Sequence, residues 1–116
     1  KNVILATGSE PAPPPGINFD GKRILSSNDA LELERLPVSL LIVGGGAVGV
    51  EFASFFHEWG VKVTLIEMMD RLLPAEDPDC GKRLENLFSR RGIEVRTGVS
   101  VGAGLILLPA AYNNVY

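Results

Sequence analysis

The sequence predicts an α/β fold: three parallel strands alternating with two helices, β-α-β-α-β, with the helices packed on the sheet. Three observations predict it. An apolar run, Leu40-Leu41-Ile42-Val43, enters the glycine pattern Gly44-Gly45-Gly46-Ala47-Val48-Gly49, and the chain continues with helical patterning. A second apolar run, Val61 to Ile66, stops at an acid, Glu67. A second helical pattern, opened by Asp77-Pro78 and closed by Gly92, then leads into a third short run at Ile93. Strands separated by helix-length segments are joined by right-handed crossovers, which lay them parallel.

The elements follow in chain order. Asn2 to Ala6 reads as a short apolar strand ending in Thr7-Gly8-Ser9. Pro11 and Pro13-Pro14-Pro15-Gly16 make a stiff extended connector. Ile17 to Arg23 is turn-rich, with Asp20-Gly21 the clearest signal. Ser26-Ser27-Asn28-Asp29 ahead of Ala30-Leu31-Glu32-Leu33 predicts a short capped helical turn, and Pro37 ends it. The first core strand is expected over Ser39 to Val43. The helix after it should run from Ala47 to Trp59, set Gly49 and Ala53 toward the sheet, and stop at Gly60. Val61 to Ile66 is the second strand and Met68 to Glu76 a loop. Asp77 suits an N-cap and Pro78 the first helical position. Cys80, Leu84, Leu87 and Phe88 repeat at helical spacing and are expected to face the sheet. Arg90-Arg91-Gly92 is a cationic last turn with a glycine stop, and Ile93 to Val95 begins the third strand. The expected organisation is a strand end and Pro-rich connector over 1–16, a linker with a helical turn over 17–38, a core over 39–101, and an atypical tail over 102–116.

Composition narrows the function. The chain has 116 residues, is 46% hydrophobic and carries a net charge of −3, which suits one small α/β unit or a piece of a larger one. Its 11 basic residues are scattered, with no basic run and no aromatic-basic interleaving, so nucleic acid is not an expected partner. The apolar runs are strand-length, so no membrane span is expected. No signal-peptide pattern opens the chain, and a cytoplasmic location is expected. Lys1 opens in mid-element without a Met, so the natural start is expected upstream. One cysteine, Cys80, and one histidine, His57, provide neither a disulfide framework nor a metal site.

The glycine pattern carries the chemistry. Strand, G-x-G-x-x-G, helix, second strand and terminal acid occur in the order that a dinucleotide requires. Gly44 allows the tight turn off the strand, Gly46 lets a pyrophosphate approach the backbone, and Gly49 lets the helix pack closely. The pyrophosphate would rest on free N–H groups at the positive end of the helix. Glu67 stands where a carboxylate can accept hydrogen bonds from a ribose. Plainer readings exist for each residue. Glu67 could be a solvated strand-end acid, and Glu51 could merely compensate the helix dipole. Cys80 reads as a small core residue facing the sheet, His57 as a solvated helix residue, and Phe52, Phe55, Phe56 and Trp59 as packing.

With the elements placed, the chain resembles the central part of the flavoprotein pyridine nucleotide-disulfide oxidoreductases, the dihydrolipoamide dehydrogenases in particular. Five stretches carry the resemblance: Ala6-Thr7-Gly8-Ser9-Glu10-Pro11, Ser26-Ser27 with Ala30-Leu31, Gly44 to Glu51, Val63-Thr64-Leu65-Ile66-Glu67, and Arg90-Arg91-Gly92-Ile93-Glu94-Val95. Together they span residues 1 to about 101. The resemblance implies a Rossmann-type domain, incomplete relative to the family's full one. It implies that Gly44, Gly45, Gly46, Ala47, Val48, Gly49, Val50, Glu51 and Glu67 hold NAD, with the Val101 backbone near the adenine. It further implies that Glu51 lies near the nicotinamide and flavin rings, paired with a lysine that this chain lacks. Thr7, Gly8 and Ser9 would line an FAD site. The implied parent, a homodimer, passes electrons from a dithiol through a cysteine pair and FAD to NAD.

The departures are as informative. The FAD fingerprint, the redox cysteine pair and the C-terminal domain with its catalytic His and Glu are absent from these 116 residues, and Gly102 onward leaves the family's pattern. The expectation is therefore the cofactor-binding segment of such an enzyme, inactive by itself. Two rival readings stand beside it: a segment of another family member, of mercuric reductase or NADH oxidase type, and a non-catalytic nucleotide-binding fragment.

Overall fold

The computed structural model describes residues 1–101, so the expectation for 102–116 lies outside the described residues. The chain divides into two compact units, Lys1–Leu33 and the segment from Glu34 onward.

In the first unit, residues 1–14 form no regular secondary structure, so the strand expected over Asn2 to Ala6 is not there. Val3, Ile4 and Leu5 are 85%, 90% and 85% exposed. The reason is physical: a strand exists only by pairing, and no described neighbour completes these backbone hydrogen bonds. A first turn closes where the Ile17 N–H donates to the Pro14 carbonyl at 3.1 Å and Ile17 is buried, and a second is built by Asp20, whose Oδ1 accepts from the N–H groups of Lys22, Arg23 and Ile24, each at 2.8 Å. Those bonds, Ile24's first, hold the Asp20 carboxyl below the usual carboxylate range. Gly21 takes the positive φ of 65° that the turn demands. Helix α1, Ser27–Leu31, starts at a capping box in which Ser26 and Asp29 satisfy each other's backbone N–H. It starts earlier than the periodicity indicated, because the cap itself supplies the first turn.

The second unit is a sheet with two crossover helices. Strands β1 (Ser39–Val43), β2 (Lys62–Ile66) and β3 (Glu94–Arg96) lie parallel in the order β1-β2-β3. Helix α2 (Ala47–Glu58) joins β1 to β2, and α3 (Pro78–Arg91) joins β2 to β3. The bounds match expectation to within a residue or two. The central strand is the most buried, with Val63, Leu65 and Ile66 in the core, because it alone has strands on both sides. Helix α2 packs on it, burying Ala53 and Phe56, and α3 packs on β3, burying Phe88. Gly60 (φ 82°) and Gly92 (φ 91°) end the two helices in the left-handed conformation. Arg91 in the last turn of α3 forms an ion pair with Glu58 of α2. Across the β2–β3 ladder, Thr64 donates to Glu94, and Arg96 beside it draws the Glu94 carboxyl below its usual range.

The face of α3 differs from expectation. Gly81 and Phe88 are buried, while Cys80 is exposed and Leu87 is 48% exposed. The stripe of Cys80, Leu84 and Leu87 is a real helical repeat. It lies about a quarter-turn from the stripe of Gly81, Leu84, Glu85 and Phe88, and the second of these is the one that packs. A glycine at 81 gains that place because a backbone carbonyl comes too close for any side chain. Phe56 packs as expected, stacked with Phe52 (centroids 5.9 Å apart) and edge-on to Phe55 at 5.3 Å. Phe55 and Trp59 extend the cluster onto an exposed helix surface, and His57 is half-buried. Among the described residues, no helix is long and apolar enough to cross a membrane, and no group of His, Cys, Asp and Glu could hold a metal ion.

Candidate functional site

The site forms where β1 ends and α2 begins. Gly44 takes φ 110°, a conformation closed to ordinary side chains, and its N–H donates to the Ile66 carbonyl at 2.8 Å. The turn therefore leaves the sheet while still paired to β2. Gly49 meets that turn from the helix side: a Cβ there would sit 1.8 Å from the Gly44 carbonyl oxygen, so only glycine permits the approach. Gly46 is the opposite case. It is the N-cap of α2, with ordinary φ, and a Cβ built on it would have nothing within 4 Å. Beside it lies open space.

Helix α2 is also left without a side-chain cap. Among the described helices, α1 is capped by Ser26 and α3 by Asp77, whereas glycine at this position offers no oxygen to the first-turn N–H groups. Those donors face the open side at the positive end of a 12-residue helix, which favours an anion. Gly46, Ala47 and Val48 are exposed there, Gly49 is half-buried, and Val50 is buried against the core.

Glu67 lies at the end of β2 and is 7% exposed, the one buried charged residue in the described core. Its carboxylate is fixed by two backbone donors, Gly45 N–H to Oε2 at 2.6 Å and Met69 N–H to Oε1 at 2.7 Å. The plainer reading of a solvated strand-end acid does not hold. A buried carboxylate is costly unless satisfied, and each oxygen has one such bond and a lone-pair direction left over. The backbone of Glu67 is held as well, its N–H by Arg96 and its carbonyl by Val99.

The structure thus brings Gly44 to Val50 and Glu67 together. It sets Glu51 apart from them as an exposed side chain, the fifth residue of α2, and the helix has no acid in its first turn. The dipole-compensation reading of Glu51 loses its basis. Val101 is half-buried, two residues past the Val99 bond to Glu67. Thr7, Gly8 and Ser9 belong to the first unit, all exposed, with Gly8 at φ 87°.

Two further contributors, which the glycine pattern does not mark, lie in the loop after β2. Leu72 is fully buried, and its Cδ2 lies 2.6 Å from where a Gly45 Cβ would be. Leu73 donates its N–H to the Gly45 carbonyl at 2.8 Å. An adjacent leucine pair between Asp70-Arg71 and Pro74, with a glycine inside the following helix, was the available signal. Arg71 is half-buried, its guanidinium bound to the Pro74 carbonyl and near Asp70.

Comparison with known proteins agrees with this arrangement. Residues 1–104 match the family model described as pyridine nucleotide-disulphide oxidoreductase. A dihydrolipoyl dehydrogenase of Bacillus subtilis is 52% identical over 101 residues, 87% of this chain and 21% of that protein. Among solved structures, LpdA from Mycobacterium tuberculosis superposes with a TM-score of 0.70 at 38% identity, over 79% of this chain and 20% of that one. A NAD-dependent persulfide reductase from A. fulgidus gives 0.67 at 32% identity, over 83% of this chain and 19% of its own. The chain spans about a fifth of the length of these relatives.

Proposed function

The chain belongs to the pyridine nucleotide-disulphide oxidoreductase family, and from that premise we propose that it is the NAD-binding segment of a dihydrolipoamide dehydrogenase-like enzyme. One observation carries the reading: an uncapped helix N-terminus at Gly46 faces open space beside a buried carboxylate, Glu67, with acceptor capacity to spare. The first feature fits a pyrophosphate and the second fits a ribose diol. Backbone N–H groups of Gly46, Ala47 and Val48 would bind the pyrophosphate oxygens. The two amides on Glu67 orient its remaining lone pairs before any ligand arrives, so little ordering is left for binding to require.

Val101 would present backbone to the adenine, and Glu51 would project from α2 toward the reacting rings. Thr7, Gly8 and Ser9 would offer exposed backbone and hydroxyl groups to one edge of FAD. When bound, the two cofactors supply the electron and hydride transfer that links a dithiol to the nicotinamide. The residues of this chain bind, orient and exclude. With Cys80 its single cysteine, the chain holds no dithiol relay, which in the proposed homodimeric parent lies in other segments. The similarity to a reductase named as NAD-dependent supports NAD as the nucleotide.

The test is a calorimetric titration of the purified chain with NADH, with circular dichroism confirming the fold. Saturable binding at one site per chain is expected. A folded chain that takes up no NADH would overturn the proposal.

A further inference from the structure

We propose that Leu73 is a positioning residue for the pyrophosphate: its backbone N–H, held in a left-handed conformation, sets the orientation of the Gly45–Gly46 peptide. The inference rests on the dinucleotide reading above and names what prepares that site.

Leu73 has φ 50°, the one non-glycine residue among those described with positive φ. A leucine rarely adopts this conformation, so the surroundings must impose it. They do so from both sides. Toward α3, the Leu72 N–H donates to Glu85 Oε1 at 2.9 Å, and the Leu72 carbonyl oxygen lies 2.3 Å from where a Gly81 Cβ would be. Toward the glycine turn, Leu72 packs beneath Gly45 and the Leu73 N–H reaches the Gly45 carbonyl. The Leu73 carbonyl accepts from Glu76 at 2.9 Å, closing the turn behind it. Both peptide groups of Leu73 are therefore engaged, and the loop is clamped between α3 and the site.

The consequence follows from peptide planarity. No described peptide is cis, so the carbonyl of Gly45 and the N–H of Gly46 point in opposite directions. Drawing the Gly45 carbonyl toward Leu73 turns the Gly46 N–H away from the loop, to the exposed side of the turn. The preceding peptide is fixed in the same manner: the Gly45 N–H is taken by Glu67, and the Gly44 carbonyl lies against Gly49. Two consecutive peptide planes are thus oriented before a ligand binds, one by the strand-end acid and one by Leu73.

This role depends on the backbone of residue 73 and not on its side chain. Leu73→Ile keeps an apolar side chain of equal volume but is β-branched and resists positive φ. Leu73→Asn loses the apolar side chain but tolerates positive φ and keeps the N–H. Affinities of the full 116-residue chain for ADP-ribose and for adenosine, followed by NMR shift titration, separate the possibilities. Leu73→Ile is expected to weaken ADP-ribose about tenfold, as for one charge-assisted hydrogen bond, and to leave adenosine within twofold. Leu73→Asn is expected to keep both. The reverse order, Ile retained and Asn lost, would show a packing role and overturn the proposal. Equal losses for adenosine would do so too. Should Leu73→Ile not fold, an amide-to-ester exchange between Leu72 and Leu73 removes the N–H while keeping both side chains, and unchanged ADP-ribose binding would then refute it. A wild-type chain that binds neither ligand would refute the dinucleotide reading itself, a different failure.

Discussion

Gly46 and Gly49 stand three residues apart in one motif, yet alanine should act on them in opposite ways. At Gly46 a methyl group meets no atom within 4 Å, and φ is −73°, so the fold accommodates it. The stability cost is that of alanine at an N-cap, about 0.5–1 kcal/mol, or a few degrees in Tm. Binding should suffer far more. The methyl group enters the space where a pyrophosphate would approach, and losing two charge-assisted hydrogen bonds costs about 3 kcal/mol, over a hundredfold in affinity. At Gly49 the Cβ would lie 1.8 Å from the Gly44 carbonyl oxygen, which belongs to backbone and cannot rotate aside. The helix or the turn must move, at about 1–3 kcal/mol or more. Thermal denaturation and NADH titration of both variants measure the contrast. Gly46→Ala should melt near the wild type and bind NADH weakly, whereas Gly49→Ala should melt well below it. Normal NADH affinity in Gly46→Ala, or an unchanged Tm in Gly49→Ala, would refute the reasoning.

Three further outcomes are expected. NADH should bind more tightly than NADPH by roughly 2 kcal/mol, about thirtyfold, because a 2′-phosphate would face the buried Glu67 carboxylate; Met68, Met69 and Asp70 follow it with no free cation, and equal affinities in a competition titration would contradict this. The isolated chain should show no lipoamide or disulfide reductase activity with FAD and NADH supplied, and FAD-dependent turnover unaffected by Cys80→Ser would count against it. Acid should loosen the first unit. The N–H groups of Ile24, Lys22 and Arg23 lower the Asp20 pKa, and the Ser26 hydroxyl lowers that of Asp29. A lowered folded pKa contributes stability that is present above the unfolded value, about 3.9, and lost as pH falls through the folded one. The amide shifts of Lys22 to Ile24 should therefore titrate with a midpoint below about 3.9, and a midpoint above that would sink the argument.

The alternation of strands and helices was legible because each signal is local. Glycine punctuates β1, α2 and α3, Asp77-Pro78 opens α3, and the period changes between elements are abrupt. The terms of failure were equally physical. Val3, Ile4 and Leu5 have strand composition, but composition does not supply a pairing partner. On α3, two overlapping helical stripes share Leu84, and periodicity alone cannot choose between them. The choice was made by the approach of the Leu72 carbonyl to Gly81, a contact between residues that the apolar pattern never considers.

The same division runs through the candidate site. Gly44, Gly46, Gly49 and Glu67 were legible because the dinucleotide pattern constrains side-chain types, and a missing Cβ or a carboxylate is written in the residue name. The backbone donors of Met69 and Leu73 were not, since every residue except proline carries the same N–H. What makes those two donors useful is where the loop places them, and that depends on Leu72 filling the space Gly45 leaves and on Glu85 holding the Leu72 amide. Gly45 therefore has a stricter requirement than Gly46, its middle-of-motif partner. A Cβ at Gly45 would meet Leu72 at 2.6 Å and Glu67 at 3.0 Å, displacing together the apolar support and the acid. The position that the motif writes as x is, in this chain, where the turn, the acid and the loop are joined.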